Sequence, residues 1–316
     1  MTFRTSGQFS EKAMQDELGD RMKMYEGAEA DRRLMPLLPV IARLDGKCFS
    51  RFTAGLARPF DTRMSMLMQL TTAHLVRNTG ARCGYTQSDE ITLAWYSSRV
   101  QSEIWFDGRI QKMCSVLASM ASAYFNSRIE HDLPEKYQVP AHFDCRVWNV
   151  PTLEEGANTF LWRELDATKN SISMAARTVY SHQQLHGKGS ADMQEMLMAK
   201  GINWNDYPSF FKRGVYLQTH KIKRKLTATE LEELPPQHNA RKNPDLEVER
   251  SELRALDMPK FSSVLNRAGV IFLGEDPQIP GADNGKSPDA VPAGIEAQAG
   301  QAGCKEAAQE PVACSP

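Results

Sequence analysis

After a polar, charged start, the first sustained apolar run is Leu37 to Leu44 (LLPVIARL), which stops at Asp45-Gly46. A run of that length ended by a turn dipeptide predicts a buried strand. Asp61 then precedes a segment in which Met64, Leu67, Met68, Thr71, Leu75 and Val76 recur at helical spacing, closing near Asn78-Thr79-Gly80. This predicts a helix with Asp61 as its N-cap, and makes Met64, Met66 and Met68 packing and surface residues, not a cofactor box. Two strand-like stretches, Ala81 to Thr86 and Ile91 to Tyr96, flank the polar Gln87-Ser88-Asp89-Glu90 and predict a hairpin. Helical spacing returns in Ile110, Met113, Val116, Leu117, Met120 and Tyr124, and His142 to Trp148 reads as another strand. The predicted order is βαββαβ.

That order belongs to the α+β class and fits a ferredoxin-like split βαβ sheet, which hosts many unrelated functions, so function must be read from a site. In this topology the C-terminal end of the first strand lies beside the turn between the second and third, bringing Asp45 toward Asp89 and Glu90. Beyond the sheet, Leu153 to Tyr180 predicts a helix capped by Thr152, with Phe160, Arg163, Asp166 and Asn170 close to one face. Residues 181–213 read as a looser segment. Gly214 to Thr219 reads as a strand running into the basic HKIKRK of 220–225, followed by a proline-bounded loop at 235–244 and a small ordered piece at Val264 to Leu273.

Charge is unevenly distributed. Residues 275–316 carry a net −5 and are rich in Pro, Gly, Ala and Gln, which leaves +4 on residues 1–274. With few large apolar side chains, the tail lacks the burial that would offset its ordering entropy and is expected to be disordered. The expected organisation is a catalytic domain at 1–150, a helical and β-hairpin extension integrated with it at 151–274, and the tail at 275–316. No apolar run approaches the roughly 18 residues of a membrane helix, and the N-terminal stretch lacks the apolar region of a signal peptide. Six cysteines without a C-x-x-C pair argue against a zinc ribbon or disulfide scaffold and for a cytoplasmic location.

Two carboxylates at adjoining strand ends, Asp45 and Asp89, supported by Glu90, are the hard-oxygen set that Mg²⁺ prefers, with substrate phosphates as further ligands. Two such ions would clamp the attacking and leaving oxygens of a phosphoryl transfer. Gly46 allows close backbone approach, and Asp45 to Ser50 offers successive amides to a triphosphate, with Arg51, Arg58 and Arg63 following. Asp-Gly and Ser-Asp-Glu are each ordinary turn sequences when taken alone. Their placement at converging strand ends makes them a candidate site.

Three segments, Arg43-Leu44-Asp45-Gly46-Lys47-Cys48-Phe49, Arg58-Pro59-Phe60-Asp61 and Gln87-Ser88-Asp89-Glu90, resemble the tRNA-histidine guanylyltransferase family, including its bacterial and archaeal Thg1-like proteins. Phe143 to Val147, Trp162-Arg163, Gly201 to Asn205 and Lys212 to Gly214 are similar to further family landmarks in the same order, so the resemblance spans roughly residues 18 to 219. It implies a polymerase-palm-like catalytic domain that adds nucleotides, usually GTP, to the 5′ end of a tRNA after ATP activation of a 5′-monophosphate, or from a 5′-triphosphate. By motif position it implies Asp45, the Gly46 carbonyl and Asp89 as ligands of two Mg²⁺ ions, and Glu90 as a required acid. Asp45, Gly46, Lys47, Cys48, Phe49, Ser50, Arg58, Ser88 and Asp89 would contact nucleotide, and Arg163, Lys169 and Asn170 the tRNA 5′ end. It also suggests a homotetramer.

One departure stands out. Where eukaryotic members carry a histidine-asparagine motif, this chain reads Thr168-Lys169-Asn170-Ser171, keeping one Asn and losing the His, which favours template-dependent 5′-end filling or repair over non-templated guanylylation. Two alternatives share parts of the pattern. A palm-fold nucleotide cyclase is disfavoured by Gln87-Ser88 ahead of Asp89 and by the long helical region after residue 150; a non-catalytic tRNA-binding protein is disfavoured by the retained Asp45 and Asp89. His182 and His186 have metal spacing but no Glu follows the first, Lys221 to Lys225 reads as a solvated strand edge, and Cys48 as an inert loop sulfur.

Overall fold

The computed structural model describes residues 7–99, 104–243 and 245–281, the first ten of these by backbone alone. In chain order the elements are α1 (Gly7–Ala30), β1 (Val40–Gly46), α2 (Phe49–Phe52), α3 (Thr62–Thr79), β2 (Cys83–Gln87), β3 (Glu90–Trp95), α4 (Ile110–Asp132), β4 (Phe143–Asn149), α5 (Leu153–Ala176), α6 (His182–Leu185), α7 (Ser190–Met198), α8 (Ser209–Arg213), β5 (Val215–Lys225), α9 (Ala228–Glu233), α10 (Asn239–Lys242) and β6 (Glu247–Leu256). The six strands form one sheet in the order β4-β1-β3-β2-β5-β6, every neighbouring pair antiparallel.

Alternation along the central strands sorts the core onto two faces. Val40, Ala42 and Leu44 of β1 pack with Ile91 and Leu93 under α3 and α4, where Leu67, Met68, Leu75, Leu117 and Phe125 are almost wholly buried. Met64 joins them, so the methionines of α3 are core and its flank, as expected. Ile41, Tyr85, Ala94 and Tyr216 face the other way, against Phe160 of α5 and the C-terminal Phe261, Val270 and Phe272. α3 begins where predicted: the Asp61 carboxylate accepts from the amides of Arg63 and Met64, and the helix ends at Gly80, whose φ of 67° suits a residue without Cβ. Thr152 caps α5 by accepting from the Glu155 amide.

Two segments differ from the sequence expectation. Residues 181–213, read as loose, are largely helical: α6, α7 and α8 gather Leu185, Leu197 and Phe211 against Ala175 and Ala176 of α5 in a third, smaller core. Its helices are short and separated by Gly and Pro, so no long periodicity announces them. The strand after Gly214 does not stop at Thr219. It continues through the basic run to Lys225 and pairs with β6, where Glu249 stands opposite Lys223 and Glu247 opposite Lys225; Lys221 bonds Glu249 diagonally at 2.5 Å, and Lys225 bonds Asp245, just before β6, at 2.6 Å.

One buried carboxylate ties the second core together. Glu164 of α5, 4% exposed, accepts from the Tyr216 hydroxyl at 2.9 Å and from the Phe261 amide at 2.8 Å, and burial pushes its acid above the usual range. Gln218, fully buried on β5, donates to the carbonyls of Val270 and Glu275 and accepts from Arg254. Asp276 pairs with Arg254 at 2.7 Å, and Gln278 exchanges bonds with Asn266 and Leu265. The expected tail boundary at residue 275 therefore falls too early. The chain up to Pro280 forms one compact unit, and the remainder of the expected tail, 282–316, lies outside the described residues.

Two truncations follow from this. Ending the chain after Gly274 should lower the thermal midpoint more than ending it after Gly281, because only the shorter chain loses the Glu275 carbonyl that receives the Gln218 amide and the Asp276 partner of Arg254. Differential scanning calorimetry of the two truncated chains checks this; equal midpoints would mean that these contacts contribute nothing to stability.

Candidate active site

β1 lies between β3 and β4, and its register sets Asp45 opposite Glu90 on one side and Asp144 on the other. Residues directly opposite in antiparallel strands share a face, so three acids form a row across the sheet. β1 itself extends to Gly46, two residues beyond the predicted Leu44, which places Asp45 inside the ladder. The β2–β3 turn consists of Ser88 and Asp89, with Ser88 at φ 56°. It is fastened to the end of β1 by the Gly46 amide, which donates to the Asp89 carbonyl at 3.1 Å. The sequence-predicted meeting of Asp45 with Asp89 is thus present in the backbone.

Electrostatics at this corner are uncompensated. Burial raises the Asp89 acid above its ordinary value and the Asp45 charge adds to the rise, against the Ser88 hydroxyl, which donates to Asp89 Oδ1 at 3.0 Å. Among the described residues neither Asp45 nor Asp89 forms an ion pair. Two close carboxylate groups without a counter-charge, beside a backbone carbonyl at Gly46, suit a hard divalent cation. No group of three or more His, Cys, Asp or Glu residues that could hold a metal ion occurs among the described residues, so an ion here would need Gly46 or substrate oxygens as well. His182 and His186 sit exposed at either end of the four-residue α6 region, which leaves the zinc reading without support.

Glu90 stands apart from this pair. Arg163 of α5 donates to it at 2.6 Å and to Asp166 at 3.0 Å, and the arginine is only 13% exposed. Burial raises the Glu90 acid, and the Arg163 charge opposes that rise. The Glu90–Arg163 pair therefore fastens α5 across the acid row. Asn170 donates to Asp166 on the same helix, and Thr168 bonds back to the Glu164 carbonyl within α5. Of the three residues assigned to a tRNA 5′ end, Arg163 and Asn170 are engaged within the protein, while Lys169 is exposed.

Next to Asp89 opens a cleft of about 640 Å³, lined by Gly46, Cys48, Phe49, Ser50, Arg58 and Ser88 among the expected nucleotide contacts. The amides of Gly46 and Lys47 already donate to Asp89 and His142. Those of Cys48, Phe49 and Ser50 have no acceptor among the described residues, because Cys48 turns at φ 58° into the first turn of α2. Phe49 is 3% exposed and stacks among Phe52, Phe125 and Phe143, so its ring is a foundation and only its backbone can serve a ligand. That ring also explains Gly46: a Cβ there would stand 2.3 Å from Phe49 Cδ2. Lys47 lies outside the lining. Arg58 lines the cleft, whereas Arg63 is held by Asp61 at 2.8 Å and Glu135 at 2.6 Å and is not free for a phosphate.

The far wall comes from residues the sequence did not single out: Met174 and Arg177 at the end of α5, and Phe210 and Phe211 of α8. Arg177 is exposed and adds a second guanidinium. No motif marks it, since it reaches the cleft only because the small third core folds α8 against α5. Asp144, which the sequence marked only as part of a landmark segment and gave no role, is 55% exposed on the edge strand and lies 3.5 Å from Arg146.

The family model described as "Thg1: tRNAHis guanylyltransferase" matches residues 19–151, the span that holds the acid row, the α2 loop and the hairpin. The tRNA(His) guanylyltransferase of Schizosaccharomyces pombe is 26% identical over 61% of this chain and 77% of its own length. Among solved structures, a bacterial tRNA(His) guanylyltransferase-like protein in complex with ATP is 43% identical, covering 64% of this chain and 88% of that one at a TM-score of 0.61. A bacterial protein of the same description in complex with GTP is 34% identical, covering 78% and 94% at a TM-score of 0.59. With its mixed helix and antiparallel-sheet fold similar to theirs, this chain belongs to the tRNA(His) guanylyltransferase family of nucleotidyltransferases.

Proposed function

We propose that this enzyme adds nucleotides to the 5′ end of a tRNA, in the 3′-to-5′ direction, on a palm-like βαββαβ core formed by β4, β1, β3 and β2 with α3 and α4. The observation that carries the reading is the unpaired Asp89 lining a cleft bordered by free amides and Arg58, with the unpaired Asp45 beside it at the strand end that Gly46 ties to the Asp89 carbonyl. Asp45, the Gly46 carbonyl and Asp89 would hold Mg²⁺, which when bound supplies positive charge to phosphoryl oxygens. The amides of Cys48 to Ser50, with Arg58 and Ser88, would bind the triphosphate of ATP or GTP, the nucleotides carried by the two bacterial relatives.

In the transfer itself the 3′-hydroxyl oxygen of the incoming nucleotide loses its proton and bonds to the 5′ phosphorus of the tRNA, while the phosphoanhydride bond there breaks and AMP leaves from the ATP-activated end, or pyrophosphate from a 5′-triphosphate. The chain's part is positioning: the cleft fixes one reactant and the acid row orients the other, which places the two oxygens in line. Glu90 serves by holding Arg163 and, through it, α5 over the row. Thr168 has its hydroxyl turned back to its own helix and offers no imidazole for base readout. The incoming nucleotide is then selected by Watson–Crick pairing with the opposite strand of the acceptor stem. A homotetramer belongs to the same reading, with Leu18, Met22 and Tyr25 supplying exposed apolar surface along α1, as does a cytoplasmic location.

Incubating the protein with ATP, labelled GTP, Mg²⁺ and a tRNA lacking its first nucleotide should place label at the 5′ end. Asp45→Ala and Asp89→Ala should each reduce this below detection while circular dichroism stays that of the wild type, because each removes one of the two unpaired carboxylates. Wild-type turnover in either variant would sink the two-carboxylate site.

Template dependence is read separately. With the opposing base varied through all four identities and each NTP supplied in turn, the added nucleotide should follow the pairing rule. Persistent G addition whatever base stands opposite would overturn it, and label found only at the 3′ end would overturn the direction of synthesis.

A further inference from the structure

α5 carries a large aromatic side chain that the core does not use. Trp162 is 51% exposed, while the buried side of the helix is made by Ala157, Phe160, Glu164 and Ala167. Two guanidinium groups lie against its ring, Arg163 at 4.5 Å and Arg43 at 5.4 Å from the centroid. The two arginines differ in how much of their charge is spent. Arg163 is bound to Glu90 and Asp166. Arg43 has no ion pair among the described residues, and its Nε is buried without a hydrogen-bond partner.

Position matters as much as composition. Arg43 precedes Asp45 by two residues on β1, so both side chains belong to the same face, and Arg43 stands opposite Arg146 of the edge strand β4. The Trp162 ring therefore borders a row of arginines that is one step along the strands from the row Asp144, Asp45 and Glu90. It is not part of the nucleotide cleft. That cleft takes its α5 contributions from Met174 and Arg177, and Met174 is twelve residues further along the helix, about 18 Å at 1.5 Å per residue. The same acids are thus bordered by two separate features, a cleft and a half-exposed indole with positive charge over its ring.

A half-exposed indole with guanidinium groups over its ring suits a flat, electron-poor ring attached to phosphate, since stacking on the exposed part of the indole accepts any base and the neighbouring charge attracts the backbone. We propose that Trp162 is a positioning residue on which the terminal base of the nucleic-acid substrate stacks, with the free charge of Arg43 drawing in the phosphate beside that base. The proposal rests on the reading of this enzyme as a tRNA 5′-end transferase and adds to it where the tRNA end is seated. It also shifts that role from Lys169 and Asn170, further along α5, to residues beside the acid row.

The test uses a fluorescently labelled acceptor-stem hairpin RNA bearing a 5′-monophosphate, titrated with the wild type, Trp162→Ala and Trp162→Phe and read by anisotropy, with ATP binding measured on the same proteins. Trp162→Ala should weaken RNA binding by roughly ten- to a hundredfold, the range expected for one lost base stack. Trp162→Phe should restore most of it, and the Kd for ATP should not move. In steady state the KM for RNA should rise more than kcat falls, with the KM for the nucleotide unchanged. An unaltered RNA Kd in Trp162→Ala would overturn the proposal. So would equal weakening of RNA and ATP together with a lower thermal midpoint, which would make the ring a structural brace, or a changed subunit number on gel filtration, which would make it an interface between copies. A wild type that binds the hairpin but never extends it would overturn the transferase reading alone, and one that extends it equally well without the indole would overturn the platform alone.

Discussion

Holding like charges together is the constraint on which this molecule depends. The antiparallel register of β1 with β3 and β4 sets three carboxyl groups in one row, and the amide of Gly46 fastens a fourth acid, Asp89, to the end of that row. Left to themselves these groups would separate, since at short range their repulsion amounts to several kcal/mol even at an effective dielectric near 20. The resistance comes from beneath: Leu44, Phe49 and Phe143 are buried under the strand ends, and the aromatic contacts of Phe49 leave the loop no room to relax. Glu90 receives a buried counter-charge from Arg163, which also holds α5 in place, and Asp144 an exposed one from Arg146 at 3.5 Å. What remains negative is confined to the side where substrate phosphates and their cations would arrive.

This division explains how the two long arginine-bearing elements around the site share their work. Arg63 is used up by Asp61 and Glu135 in securing the start of α3, and Arg163 by the acids of β3 and α5. Arg58, Arg177 and Arg43 keep their charge. The protein thus spends some guanidinium groups on architecture and leaves others facing the two places where a polyanion can enter.

Much of this was legible in the sequence, and the reason is local. The strand ending at Asp45-Gly46, the cap at Asp61 and the polar hairpin tip each depend on residues adjacent in the chain, and the pairing of strand one with strand three follows from the element order. What could not be read depends on contacts between distant segments. The β6 strand has alternating charges and no apolar face, so nothing in its own pattern signals a partner; it is a strand because Glu249 and Glu252 face bases on β5. Arg177 enters the cleft because Phe211 packs beneath Ala175 and Ala176. Residues Glu275 to Gln278 belong to the fold because the Glu275 carbonyl takes the second bond of the buried Gln218 amide, beside the one to Val270, and Asp276 pairs with Arg254. In each case the deciding partner lies dozens of residues away.

Three consecutive residues of α5 point in three directions: Trp162 outward, Arg163 onto Glu90, and Glu164 into the core between Tyr216 and Phe261. Each step around a helix is about 100°, so these positions act like the teeth of a key that fits one angular setting. Point substitutions at one tooth leave the others seated. An inserted or deleted residue upstream within the helix would turn all three at once, driving the Arg163 guanidinium or the Leu165 side chain toward the cavity that now holds a carboxylate. The helix can therefore drift in sequence but not in length, and its span between Thr152 and Glu164 is fixed by geometry more strictly than by the identity of most residues in it.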